Sequence, residues 1–456
     1  MRSYLAETAL LPQGWAEQVV IEVEPSGNIA TIGIGAAAPD AERIRGIVLP
    51  GMIDLHSHAF QRALAGLTQR LGADTASFWS WRDAMYAFAE RITPEDARAI
   101  AAQLYVELLR GGYTTVVEFH YLHHQPDGRP YDEPALVSLA LHEAALEAGI
   151  ALTLLPVVYE QAGVDGSPLA GAQRRFALDP AGWTRLMSDL EQVFADAPDR
   201  KLGLAIHSVR AVPLRSITEA AQAARSRPGV TPIHIHVAEQ PKEVRDCLDQ
   251  LGRRPLALLD DAAAIDQDWC LIHGTHLTEA EIELVAERQA IVGLCPSTEA
   301  DLGDGIFPLA AHLTAGGLFG IGSDSNTATD AAAELRLLEY GQRLAHLRRA
   351  TAATAQQPHC GPGLWSGALR GGARAAGRPA GRLAPGFRAD LIVLDPDHPS
   401  LTGRSGDLAL DSLVFAPGAP VRDVMVGGVW SLRGGQHAAQ AKIGRAYRRT
   451  MARLLA

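Results

Sequence analysis

The sequence predicts an α/β protein: a TIM-like (β/α)8 barrel with a small β-sandwich domain built from both chain ends. Three observations predict it. Eight short apolar segments, most followed by a helical stretch, run from about residue 47 to residue 350. The two chain ends are instead strand-rich and rich in Gly and Pro. Histidines and an aspartate gather where several of the apolar segments end. Alternating strands and helices build a parallel sheet, and a closed barrel keeps its chemistry at the C-terminal strand ends. An open doubly wound sheet competes, but no G-x-G-x-x-G or Walker loop follows a strand, which weakens the nucleotide-binding alternatives.

The elements follow in order. Segments 18–23 and 29–33 flank Pro25-Ser26-Gly27-Asn28 and read as two strands around a turn, because Gly and Asn accept positive φ. The barrel strands are read as Ile47–Phe60, Thr114–Tyr121, Ala151–Tyr159, Leu202–Val209, Pro232–Glu239, Trp269–Leu277, Ala290–Ser297 and Phe319–Asn326. Thr93-Pro94-Glu95-Asp96 supplies an N-cap hydroxyl, a proline at the first helical position and early acids that suit the helix dipole. Thr278 with Glu281 forms a capping box after the sixth strand. Segments 389–394 and 421–430 return to strand. The expected domains are 49–384 for the barrel, and 1–48 with 385–456 for the composite β-sandwich.

Composition narrows the class. The chain has 456 residues, 47% hydrophobic and 20% charged, enough to bury roughly three quarters of its unfolded surface. The charge sum, 41 − 52 = −11, argues against nucleic acid or an anionic membrane as partner. Nothing resembles the ~18 consecutive apolar residues of a membrane span, and the N-terminus lacks a basic-then-apolar signal. Cys247, Cys270, Cys295 and Cys360 lie far apart with no C-x-x-C and read as reduced thiols. A soluble cytoplasmic protein is expected.

The informative residues lie at strand ends. The first strand ends Asp54-Leu55-His56-Ser57-His58; side chains two apart share a face, so both imidazoles can hold one cation. The fifth carries His234, His236 and Glu239. His236 is nearer the open end and the better ligand candidate. Glu239 falls on the opposite face by alternation and joins the site only if the strand has ended before it. The sixth strand ends in His273 and the eighth in Asp324, a carboxylate costly to bury without a cation or several donors. Imidazole and carboxylate ligands suit zinc, with iron or manganese possible. Three or four protein ligands plus an open position make a catalytic site.

This set on strands one, five, six and eight resembles the amidohydrolase superfamily. The narrower likeness is to its deiminases that act on N-formimino-L-glutamate in L-histidine catabolism. It rests on Leu-Pro-Gly-Met…Leu-His-Ser-His-Ala-Phe-Gln-Arg (49–62), Glu-Phe-His-Tyr-Leu-His-His (118–124), His-Ser-Val-Arg-Ala-Val (207–212), His-Ile-His-Val-Ala-Glu-Gln (234–240) and Gly-Leu-Cys-Pro-Ser-Thr-Glu-Ala-Asp-Leu-Gly-Asp-Gly (293–305). The resemblance implies an amidohydrolase-type barrel, one divalent metal (most simply zinc) and a homodimer. It implies metal ligands His56, His58, His236 and Asp324. Glu239, His273 and Asp324 would carry the proton transfers and orient the water. Gln61, Tyr121, His207 and Arg210 would hold the glutamate part of a small-molecule substrate. Two positions depart from the pattern: a histidine is expected at Asn326 and an asparagine at Asp301. Other single-metal deaminases (imidazolonepropionase, guanine or adenosine-type deaminases) remain the alternative, and a catalytically silent metal-binding scaffold is the rival from another class. His120, His123, His124, His276, Trp79 and Trp81 are given no role.

Overall fold

The computed structural model describes residues 1–69, 78–195, 197–229, 231–416, 418 and 420–456. The N-terminal strands are β1 (Arg2–Leu11), β2 (Gly14–Val23), β3 (Ile29–Ile34) and β4 (Glu42–Pro50). The barrel strands are β5 (Met52–Ser57), β6 (Tyr113–His120), β7 (Ala151–Val158), β8 (Arg200–Leu202), β9 (Leu204–Ser208), β10 (Ile233–Val237), β11 (Trp269–His273), β12 (Ile291–Leu294) and β13 (Leu318–Ile321). The last three are β14 (Leu391–Leu394), β15 (Val421–Val426) and β16 (Val429–Leu432).

The barrel strands pair in parallel in the order β6-β5-β13-β12-β11-β10-β9-β7, and β6 pairs with β7 to close the ring. The short β8 pairs only with β7 and leads into β9. β5, β6 and β7 are buried along their whole length, as strands covered on both faces must be. The terminal strands form a separate sheet in the order β16-β15-β14-β4-β1-β2-β3, antiparallel except for the β1–β4 pair. That sheet curls over its own small core, which includes Tyr4, Ile21, Val48, Leu391 and Met425. Tyr4 on β1 meets Trp430 on β16 edge to face, centroids 5.9 Å apart, although three strands separate them in the order.

Two expected strands divide. The expected strand Ile47–Phe60 is split at Gly51, whose N–H donates to Asp390 O at 3.1 Å. A Cβ on Gly51 would collide with Thr114. So β4 ends in the terminal sheet and β5 begins the barrel. The fourth expected strand breaks at Gly203 into β8 and β9. The C-terminal stretch also holds two helices, Asp407–Phe415 and Gln440–Leu455, which pack on barrel helices. Their Leu410, Leu413, Ile443 and Leu454 join the main hydrophobic core. Both expected N-caps form: Thr93 with Asp96 and Thr278 with Glu281 make complete capping boxes. No helix among the described residues is long and apolar enough to cross a membrane.

Candidate active site

The end of β5 is pinned before it reaches the site. Asp54 accepts from Ser323 N at 2.9 Å and Ser323 Oγ at 2.5 Å, tying the first barrel strand to the last. Beyond it His56, His58 and His236 converge, with candidate ligand atoms all within 4.8 Å of one another. His58 Nδ1 lies 2.9 Å from Phe119 O, and His236 Nδ1 lies 2.9 Å from His207 O. A ring nitrogen that donates to a carbonyl leaves Nε2 as the lone-pair nitrogen. Burial lowers the pKa of all three imidazoles, His56 to about 3, so they are neutral. Yet His56 Nε2 stands 3.0 Å from His236 Nε2. Asp324 Oδ1 is 3.5 Å from His56 Nε2 and 3.3 Å from His58 Nε2. Burial alone would raise Asp324, but the hydrogen bond to His56 and the His58 and His273 imidazoles outweigh it and hold the carboxyl well below its usual range. Three imidazoles whose nitrogens gather beside a carboxylate form the donor set a cation takes, so a divalent metal fits here. His234, one pleat lower on β10, is turned away to Ala375 O at 2.8 Å.

Positive-φ backbone aims the remaining groups. Ala238, His273, Asp324 and Asn326 have φ of 51°, 68°, 46° and 60°, a region non-glycine residues seldom adopt and one that clusters at functional sites. β10 ends at Val237, so the turn at Ala238 brings Glu239 onto the site side. Its Oε1 lies 3.7 Å from His273 Nε2, which is also 3.7 Å from Asp324 Oδ2. His273 Nδ1 sits 3.3 Å from Glu299 Oε1. Burial would depress His273, but Glu239, Glu299 and Asp324 outweigh it and raise its pKa to about 10. His273 is therefore a buried cation poised between acids.

A cavity of about 380 Å³ opens above these groups, lined among others by Gln61, Tyr121, His207 and Arg210. Gln61 Nε2 donates to Tyr121 OH at 2.8 Å. His207 Nδ1 lies 3.1 Å from Ser208 Oγ, and burial keeps its ring neutral. Arg210 Nη2 is 3.3 Å from Glu239 Oε2. Trp79 and Trp81 roof the cavity from helix Phe78–Ala89. The same helix carries Arg82, whose guanidinium lies 4.5 Å over Trp79 and whose buried Nε has no hydrogen-bond partner among the described residues. Sequence reasoning missed Arg82 and Glu299. Glu299 lies inside the quoted 293–305 segment, whereas Arg82 carried no signal beyond its neighbouring tryptophans. His120, His123, His124 and His276 lie outside the cavity lining; His123 faces Val157 O and His276 faces Asp304 O. Asp301 accepts from Gln69 at the exposed rim.

Asn326, the first departure, clamps two candidate ligands. Its Nδ2 donates to His58 O at 3.0 Å and Asp324 O at 2.8 Å, joining β5 to the loop after β13. Asn326→Ala is expected to weaken metal affinity roughly 10- to 100-fold, the usual effect of losing an outer partner of the ligands. Competition against a fluorescent chelator measures it. Unchanged affinity would mean that the clamp is idle.

This arrangement, a metal-ready His/Asp cluster with an acid and a cationic imidazole at the mouth of a parallel barrel, defines a class. The chain belongs to the Amidohydrolase family, whose model matches residues 47–431. Residues 1–46 match the model described as "Formimidoylglutamate deiminase HutF, N-terminal domain". The chain is 48% identical to formimidoylglutamate deiminase of Pseudomonas aeruginosa, with 100% of both chains covered. It is 32% identical to 5-methylthioadenosine/S-adenosylhomocysteine deaminase of Natronomonas pharaonis over 90% of this chain and 87% of that one. A crystal structure of an amidohydrolase from Brucella melitensis superposes with a TM-score of 0.95, 44% identity and 100% coverage of both chains.

Proposed function

We propose that the protein is a metal-dependent deiminase that hydrolyses N-formimino-L-glutamate to N-formyl-L-glutamate and ammonia in L-histidine catabolism. The observation that carries this reading is one cavity lined both by His58, His236 and Asp324 of the candidate metal cluster and by the cationic side chains of Arg82, Arg210 and Lys242. A substrate with two carboxylates needs such cations, because the chain's net charge of −11 would otherwise repel it. The full-length likeness to a formimidoylglutamate deiminase supports the same substrate.

His56, His58, His236 and Asp324 would hold the metal. A divalent cation there supplies Lewis acidity and lowers the pKa of a coordinated water from about 15.7 towards about 7. The protein's own groups do the rest. Asp324 accepts a proton from the water that adds to the formimino carbon. The His273 cation, held by Glu299 at 3.3 Å, stabilises and orients the centre where charge develops. Glu239 delivers a proton to the nitrogen that departs as ammonia. Gln61, Tyr121, His207 and Arg210 hold the glutamate part.

Zinc is the metal the nitrogen and oxygen donors favour, with iron or manganese as the alternatives. Metal analysis should give about one equivalent per chain, since four protein ligands and one water complete one site. Two equivalents would instead engage the neighbouring His273/Cys295/Asp324 group. NMR of the products tests the reaction itself: substrate labelled at the formimino carbon should yield N-formyl-L-glutamate, and formamide with L-glutamate as first products would refute deimination.

A cytoplasmic location and a homodimer complete the reading. Leu337, Tyr340 and Leu344, exposed along helix Ala331–His346, support a self-association face. Sedimentation should give twice the 48.6 kDa of one chain, and a monomer would contradict it. One observation favours a second reading. The aromatic roof of Phe78, Trp79 and Trp81 could stack on a purine, as an adenosine-type or guanine deaminase requires.

A further inference from the structure

Glu243 lies in the first turn of helix Pro241–Leu251, directly after the segment that carries His236 and Glu239. It is fully buried, a costly place for a carboxylate without partners. A helix N-terminus offsets part of that cost, but two contacts say what the group is for. Glu243 Oε2 accepts a hydrogen bond from Glu239 N at 3.0 Å. The same oxygen stands 3.9 Å from Arg210 Nε.

The Arg210 guanidinium thus faces two carboxylates along different edges. Its Nε edge looks to Glu243, and its Nη2 lies 3.3 Å from Glu239 Oε2. Only Glu239 lines the cavity; Glu243 does not. Glu243 therefore touches neither substrate nor metal and acts through its two neighbours. Resting on the proposed substrate, we infer that Glu243 is a positioning residue that anchors Arg210 from behind and fixes the turn aiming Glu239. With Glu243 in place, a substrate carboxylate can take the Nη2 edge while the Nε edge keeps an anion 3.9 Å away. Glu239 then gives up Arg210 and is free to face the reacting nitrogen. Without the Glu243 charge, Glu239 is the one remaining counter-ion of the buried guanidinium among the described residues, and it competes more strongly with a substrate carboxylate for the Nη2 edge.

The two contacts separate by substitution in the full-length, metal-loaded protein. Glu243→Gln keeps an oxygen for the Glu239 amide and removes the anion facing Arg210. It should raise KM for N-formimino-L-glutamate roughly 10- to 100-fold, the size of losing one opposite charge about 4 Å from a buried guanidinium. Its kcat should stay within about threefold of wild type, and its turnover of an N-formimino-alkylamine lacking carboxylates should not change. Glu243→Ala also removes the acceptor, so its kcat should fall by at least about tenfold. Metal content and melting temperature of both variants identify a protein that has merely failed to fold, for which Glu243→Asp takes over as the variant measured. An unchanged KM in Glu243→Gln, or equal losses on both substrates, overturns the inference. A wild type that releases no ammonia from N-formimino-L-glutamate refutes the substrate reading instead. In that case the Glu239 contact still decides: Glu243→Ala must lower kcat on whichever amidine or aminopurine is deaminated, and an unaffected kcat overturns the inference.

Discussion

Glu239→Gln is expected to lower kcat by roughly 10²–10⁴, the usual size of a general acid–base contribution, with metal content unchanged. The substitution keeps the side chain's shape and removes the titrating group. Glu239 sits past the end of β10, turned inward by Ala238 at φ 51°, with Oε1 3.7 Å from His273 Nε2. Burial, outweighing the opposing pull of His273 and Arg210, raises its pKa, the direction that lets a carboxyl carry a proton to a leaving nitrogen. Glu239 is not among the three imidazoles whose nitrogens converge. Loss of metal from the variant would make it a ligand and contradict the role assigned here.

Arg210→Met should lower kcat/KM for N-formimino-L-glutamate by about 30-fold to several thousandfold. Removing one partner of a desolvated charge pair costs roughly 2–5 kcal/mol, and each ~1.4 kcal/mol is tenfold. The planar fork of arginine matches a carboxylate with two parallel hydrogen bonds, which lysine cannot reproduce. Arg210 reaches the cavity from the loop after β9, and its present partners, Glu239 and Glu243, mark it as a carboxylate-binding group. The metal cluster should survive, because no candidate ligand is touched. An N-formimino-alkylamine lacking both carboxylates should be turned over equally poorly by wild type and variant. Near wild-type efficiency of Arg210→Met would move the clamp elsewhere, with Arg82 next in line.

Much of this architecture is legible in the sequence because the barrel strands announce themselves twice, as apolar runs and as polar endings. His56 and His58, two apart where one strand ends, need no structure to be paired. What the sequence hides is of three kinds. The stretch 47–53 is continuously apolar, and only Pro50-Gly51 marks where one sheet ends and another begins. The inward aim of Glu239 depends on a backbone turn at Ala238 that alternation alone contradicts. Glu299, Arg82 and Glu243 work through neighbours: Glu299 holds His273 from 26 residues away, and Glu243 reaches back to Arg210. No spacing rule joins such residues, because the barrel's closure sets their distances.

The central claim is that this cluster and the cations lining its cavity form a site for the deimination of N-formimino-L-glutamate. Ammonia release by the purified, metal-replete protein tests it most directly, with N-formimino-L-glutamate run beside 5′-methylthioadenosine, adenosine and guanine at equal concentration. The account predicts kcat/KM for N-formimino-L-glutamate at least about 10³-fold above any purine, since a site built around buried charged groups rejects substrates that leave those groups unpaired. A purine deaminated with the higher kcat/KM would contradict it.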